Sequence, residues 1–421
     1  MRFATFLIGC LIFAPAKAGE LAVGKSLRPD PRPTLAVNVV PTSAVVSRHD
    51  GFSKWRAKFR KRAIAQGIRP QIIDKAFANV RYNAEIVAKD RNQSEFTKQI
   101  WDYLGTAVSA ERVANGREAM TSHARVLRRI EARYGVDAEI VTAIWGLESA
   151  YGSFKGKTST VEALASLAFD PRRSRFFEEQ LIGALRILQS GGVSAANMVG
   201  SWAGAMGHTQ FMPVSYLAHA QDFNKDGKRD IWGRDPADAL ASTAAYLSAN
   251  GWVTGQPWGM EVILPKGFDY RQSTERVKKP TSAWVRMGIR SVSGRDIPKY
   301  RHTSILLPAG HRGPAFIIFE NFHVLETYNT ADAYVIGVGH LADRIAGRAA
   351  IKASWPRNDR ALSFREKQEM QRRLLAKGFD PEGVDGIIGP RTIAAVQDYQ
   401  QSIGVVPDGY VSARVLNSLR R

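Results

Sequence analysis

Glu148 lies in a run from Val136 to Gly152 that places a carboxyl among apolar residues. Ile140, Ile144 and Glu148 are four apart, and on a helix they share a face with Val141 and Leu147. Asp137 suits the start of such a helix and Gly152 its end. Burial and the negative end of the helix dipole both disfavour an ionised carboxylate. That favours a general acid able to work near neutral pH. The competing reading is a helix-end glutamate that reaches solvent or pairs with an arginine.

A second segment, Gly200 to Tyr216, mixes small residues with polar and aromatic ones. Ser201, Gln210 and Tyr216 offer hydrogen bonds, and Trp202 and Phe211 offer flat surfaces. A sugar needs both, hydrogen bonds at its edge and stacking on its apolar face. The same residues fit a Gly/Ala-rich helix and turn packed on a core equally well.

A third segment, Asp222-Phe223-Asn224-Lys225-Asp226-Gly227-Lys228-Arg229-Asp230, matches the first nine positions of a calcium-binding EF-hand loop. Asp222, Asn224, Asp226 and Asp230 stand at oxygen-ligand positions, Lys228 at the backbone-carbonyl position, and Gly227 at the sharp turn. The twelfth position is Gly233 where a bidentate glutamate is expected. Asp235 or Asp238 is left to complete a lengthened loop, although Asp235-Pro236-x-Asp238 is also a good helix start. A structural calcium is therefore an expectation, and no cofactor is expected for catalysis.

The elements that must hold these groups are mostly helical. Helical spacing runs through Trp55, Phe59 and Ala63, then Val126–Tyr134, Glu139–Tyr151, Phe176–Leu188 and Ala237–Ala249. Strand-like runs follow at Glu261–Leu264, Ser304–Leu307 and Ala315–Phe319. The expected fold is mainly α, of α+β type: a large helical domain with a small β-sheet, residues 51–348. Residues 349–361 read as a linker around Pro356, and 362–421 as a separate small unit.

The N-terminus reads as an export signal. Met1-Arg2 is basic, Phe3 to Pro15 is a short apolar run, and Ala16-Lys17-Ala18 is a small-x-small cleavage pattern. Residues 1–18 are thus expected to be removed and 19–50, with Pro29, Pro31, Pro33 and Pro41, to form a flexible tether. Leu7-Ile8-Gly9-Cys10 resembles a lipoprotein box, and membrane association is expected only if Cys10 is lipidated. Cys10 is the one cysteine, so a chain cut after Ala18 has no disulfide, thiol nucleophile or cysteine-held metal. The 421 residues carry 59 Lys and Arg against 39 Asp and Glu, a formal charge of +20. Such an excess suits a polyanion without choosing one. Export and the absence of a nucleic-acid motif argue against nucleic acid.

Glu148-Ser149-Ala150-Tyr151-Gly152 together with Gly204-Ala205-Met206-Gly207 and Gln210-Phe211-Met212-Pro213-Val214-Ser215-Tyr216 resembles the lytic murein transglycosylase B family. Gln93-Ser94-Glu95-Phe96, Ala165 to Arg173 and Tyr328-Asn329 extend the resemblance over roughly residues 52–345. It implies a lysozyme-like catalytic domain in which Glu148 is the acid/base. Ser201, Gln210, Arg173, Tyr328 and Asn329 carry over as glycan-site residues. The implied reaction cleaves the bond between N-acetylmuramic acid and N-acetylglucosamine in peptidoglycan and leaves a 1,6-anhydro end. The family shows other residues, often an aromatic, where this chain has His208-Thr209, and it carries an atypical calcium loop of its own. The last sixty residues, with Asp385-Gly386 and Asp408-Gly409 as turn formers, resemble a small three-helix peptidoglycan-binding module. These likenesses imply a monomer in the periplasm or secreted to the cell envelope, acting on glycan strands.

Overall fold

In the computed structural model, residues 42–91 and 98–421 are described. The export signal, Cys10, the first part of the tether and Gln93-Ser94-Glu95-Phe96 lie outside them. The first helix is Thr42–Ala65, so it takes in the last residues assigned to the tether.

Helices dominate because the apolar residues recur at helical spacing and find one another. Helix Ala138–Ser149 is buried along almost its whole length. It packs against Asp332–Ile345 and is flanked by Ala110–Ser122, Ala124–Tyr134 and Ala237–Ala249. Thr160–Phe169 and Ser174–Ser190 form a second packed pair. Together these helices enclose one large apolar core. Its members include Ile144, Leu164, Phe177, Leu240 and Val335, each fully buried.

The predicted strands form. Gly259–Ile263, Ser304–Leu306 and Ala315–Ile318 join in an antiparallel sheet, with the short strand Arg290–Ser291 at one edge. Arg290–Ser291 escapes sequence reading because two residues carry no alternation to detect. The sheet has its own core around Trp284, Ile305, Ile317 and Phe319. The indole of Trp284 is wholly buried and donates to the Thr303 carbonyl at 3.1 Å, which satisfies its one polar atom.

The C-terminal unit is three helices, Phe364–Ala376, Pro390–Ser402 and Ala413–Arg420, around Met370, Leu374, Val396 and Leu416. Its first helix starts with a full capping box, Ser363 and Glu366 each bonding the other's backbone N–H. Such a cap contributes about 1 kcal/mol.

Candidate active site

Helix Ala138–Ser149 ends abruptly, and the residues that end it are not glycine. Ala150 and Tyr151 both sit in the left-handed region, at φ 47° and 57°, ahead of Gly152. Non-glycine residues rarely adopt that backbone, and pairs of them concentrate at functional sites. The turn folds the Tyr151 ring back over Gly146, where a Cβ would overlap it. The Tyr151 hydroxyl donates to the Arg112 carbonyl at 2.7 Å.

Glu148 occupies the last turn of this helix and is 2% exposed. Its Oε1 accepts a hydrogen bond of 2.5 Å from the hydroxyl of Tyr334 on helix Asp332–Ile345. Burial, then the Glu148 charge, hold the Tyr334 phenol far above its usual range, so it stays a neutral donor. Tyr328 is shifted in the same direction, by burial first and by Glu148 second. The glutamate thus sits beside two buried phenols. The expected carboxyl on an apolar face is present, and the solvent-reaching alternative is not what forms. Tyr334 was not among the residues singled out from the sequence.

The 200–211 segment is strapped to this helix. Ser149 Oγ donates to the His208 carbonyl at 2.5 Å and accepts from the Gly152 N–H at 3.0 Å. On its other side, the Tyr328 hydroxyl donates to the Thr209 carbonyl at 2.6 Å. Gln210, at φ 54°, donates from Nε2 to the carbonyls of Gly207 and Lys155. Ser201 Oγ accepts from the backbone N–H groups of Ala203 and Ala205. Tyr328 lies beside Glu148, whereas Ser201 and Gln210 bond to backbone groups of this segment and of Lys155; all three are buried.

The remaining candidates are placed differently. Asn329 is buried, and its Oδ1 caps the Ala331 N–H. Arg173 lies over the rings of Phe176 and Phe177, with its guanidinium 4.7 and 5.0 Å from their centroids. Tyr216, expected on the glycan site, is 1% exposed and donates to the Arg229 carbonyl at 2.7 Å. Its hydroxyl is engaged by the neighbouring loop, so it acts as a support. His208 faces inward: Trp145 Nε1 donates to its Nδ1 at 3.1 Å, and its Nε2 lies 2.8 Å from the Gly233 carbonyl. Lys155 Nζ donates to the carbonyls of Trp232 and Gly233, which ties the same two loops together.

In the calcium-like loop the carboxylates of Asp222, Asp226 and Asp238 bring ligand oxygens within 4.8 Å of one another. Asp238 is 2% exposed and accepts from the N–H groups of Phe223, Asn224 and Asp230. Asn224 and Lys228 lie on the exposed rim. Asp230 instead caps a turn, accepting from Trp232 and Gly233, and Asp235 accepts from Ala237 at the helix start. Of the two residues left open to complete the loop, Asp238 is the one that converges. The donor set fits a hard cation.

A cavity of about 410 Å³ opens at the far end of the Glu148 helix, beside Asp137, Trp252, Trp258 and His340. None of the candidate glycan-site or calcium-loop residues lines it.

The chain matches the model of the transglycosylase SLT domain over residues 51–343 and that of a putative peptidoglycan binding domain over residues 366–419. It is 32% identical over 251 residues to the membrane-bound lytic murein transglycosylase B of Escherichia coli (strain K12), covering 58% of this chain and 66% of that relative. Its structure resembles SltB3 of Pseudomonas aeruginosa, solved in complex with NAG-anhNAM-pentapeptide. The TM-score is 0.85 and the identity 48%, over 88% of this chain and 99% of that one. It also resembles the Escherichia coli lytic transglycosylase Slt35, solved in complex with calcium, with a TM-score of 0.61 and 28% identity over 69% and 92% of the two chains.

Proposed function

The chain belongs to the transglycosylase SLT domain family, and from that premise we propose that it is a lytic transglycosylase of peptidoglycan with Glu148 as its acid/base. It cleaves the β-1,4 bond between N-acetylmuramic acid and N-acetylglucosamine and leaves a 1,6-anhydro-N-acetylmuramic acid end. The observation that carries the assignment of Glu148 is its burial at a helix end with one oxygen held by Tyr334 at 2.5 Å.

Protonated Glu148 donates to the leaving glycosidic oxygen. As a carboxylate it then takes the proton of the muramic acid 6-hydroxyl, which attacks the anomeric carbon and closes the anhydro ring. The 2-acetamido group stabilises positive charge between the two steps, so a second enzyme carboxylate is not needed; substrate-assisted exceptions to the two-carboxylate scheme are established chemistry. A buried site that holds the 6-hydroxyl close lets this intramolecular attack outrun water. Tyr334 fixes the carboxyl rotamer through Oε1. Ser201, Gln210, Tyr328 and Asn329 shape the floor of the glycan site, and Arg173 is its cationic neighbour.

The catalytic domain comprises residues 51–348, the linker 349–361 and the wall-binding module 362–421. Export through residues 1–18 places the enzyme in the periplasm or cell envelope, where its positive charge favours the acidic wall. No helix among the described residues is long and apolar enough to cross a membrane. Calcium held by Asp222, Asn224, Asp226 and Asp238, with the Lys228 carbonyl, serves structure only.

Mass spectrometry of purified peptidoglycan digested with the protein and with Glu148→Gln tests this reading. Anhydro-muropeptides that vanish with the variant are expected. Reducing ends in their place would make the enzyme a lysozyme-like hydrolase, and a lack of cleavage by either form would leave only a wall-binding protein.

A further inference from the structure

Outside the glycan site and the calcium-like loop, Glu275, His323 and Glu326 present three ligand-type atoms within 4.8 Å of one another. His323 and Glu326 stand one turn apart on helix Glu320–Tyr328, with Nδ1 2.7 Å from Oε2. Glu275 comes from the loop ahead of helix Thr281–Arg286, where Ser304 Oγ donates to its carbonyl at 3.2 Å. All three side chains are partly buried, within reach of solvent yet held in place. Asp332, at the start of helix Asp332–Ile345, adds a fourth carboxyl against them.

This crowding lacks the usual remedy. The chain has 59 Lys and Arg, yet among the described residues none forms an ion pair with Glu275, Glu326 or Asp332; His323 is the sole counter-group. A cation would relieve the repulsion among these carboxyls.

We propose that Glu275, His323 and Glu326 form a binding site for a divalent transition-metal ion of the zinc type, with Asp332 or water in the remaining position. One imidazole with carboxylates is a mixed nitrogen–oxygen set, which suits zinc, whereas the all-oxygen Asp222–Asp238 loop suits calcium. Tetrahedral zinc with bonds of about 2.0–2.2 Å separates its ligand atoms by roughly 3.4 Å. His323 Nδ1 and Glu326 Oε2, at 2.7 Å, need only part slightly, and Glu275 lies within 4.8 Å of both. The ion would clip the sheet to the helix that ends in Tyr328, whose hydroxyl supports the loop before Gln210.

The test uses the full chain stripped with chelator, then titrated with Co²⁺ in the presence of excess Ca²⁺. Visible d–d absorption saturating at about one equivalent is expected. His323→Ala and, with a smaller change to the fold, Glu275→Gln should weaken uptake about 100-fold, with unchanged circular dichroism. Asp226→Asn should leave it intact, and Zn²⁺ should raise the melting temperature of the parent protein and not of the two variants. No uptake by the parent protein, equal uptake by folded Glu275→Gln, or loss of uptake in Asp226→Asn overturns the site.

Discussion

The hydroxyl of Tyr334 donates to Oε1 of Glu148 across 186 positions of sequence. Two helices that pack face to face, Ala138–Ser149 and Asp332–Ile345, bring them together. Because its phenol is held neutral, Tyr334 is a fixed donor at every working pH. It orients the carboxyl and does not itself exchange the catalytic proton.

Tyr334→Phe should therefore lower kcat about 10- to 100-fold while KM moves little, the loss expected for one hydrogen bond to a group that becomes charged in the reaction. Steady-state turnover of a defined muropeptide oligomer checks this. A large rise in KM with unchanged kcat would assign Tyr334 to substrate binding instead.

His208 gives a stability prediction. Burial lowers its pKa from 6.5 to about 4, and the neutral ring accepts from Trp145 at Nδ1 and donates to Gly233 from Nε2. The unfolded chain takes up the proton near 6.5 and the native state only near 4. Stability from the neutral ring is therefore complete above about pH 6.5 and declines as pH falls toward 4. The advantage of the parent protein over His208→Gln should shrink across that window by about 3 kcal/mol, at about 1.4 kcal/mol per pH unit. Urea unfolding at several pH values measures it, and a constant difference would refute it.

Local spacing made part of the site legible. The Ile140–Ile144–Glu148 stripe predicted a buried carboxyl, and one is there, because helical periodicity is written into consecutive residues. The same reasoning located the three longer strands. Tyr334 was invisible because nothing within its own helix distinguishes a phenol that packs from one that meets a distant carboxyl. Tyr216 misled for the same reason: its side chain type suits a sugar, but its direction is set by the Arg229 carbonyl. His208 looked like a change in the subsite, whereas burial between Trp145 and Gly233 makes it part of the scaffold. Family resemblance supplied the order of motifs, and only the packed helices supplied who faces whom.

Within the calcium-like loop, Asp226 and Asp238 should separate two roles. Asp226 is exposed, whereas Asp238 is buried and anchors three backbone N–H groups. Asp226→Asn should abolish the rise in melting temperature caused by calcium and leave the calcium-free value unchanged. Asp238→Ala should cost about 2–4 kcal/mol without calcium, since it strands buried donors. Calorimetry with and without chelator reads both, and equal behaviour of the two variants would contradict the division.

The C-terminal module contains the same turn twice, and only one copy meets the catalytic domain. Gln371 bonds Asp385 Oδ1 and accepts from the Gly386 N–H at 2.9 and 2.7 Å; Gln400 does the same for Asp408 and Gly409 at 2.7 and 2.8 Å. Asp408 alone has a second engagement, its Oδ2 accepting from the His311 N–H at 2.9 Å and lying 2.5 Å from Nδ1. Gly310, at φ 66°, permits the approach, since a Cβ there would overlap Asp408 and Tyr410. The exposed Arg271–Asp398 pair at the same boundary adds at most about 1 kcal/mol, and the Tyr410 hydroxyl donates to Gln99 Oε1 at a long 3.3 Å, so the Gly310–His311 contact is the main docking contact. Gly310→Ala and His311→Ala should therefore release the module, read as a larger radius of gyration by small-angle scattering, while its own unfolding transition stays in place. Asp385→Ala should do the reverse, destabilising the module by about 1–3 kcal/mol through the lost turn without freeing it from the catalytic domain at low denaturant. Unchanged scattering in both Gly310→Ala and His311→Ala would show that another contact holds the module.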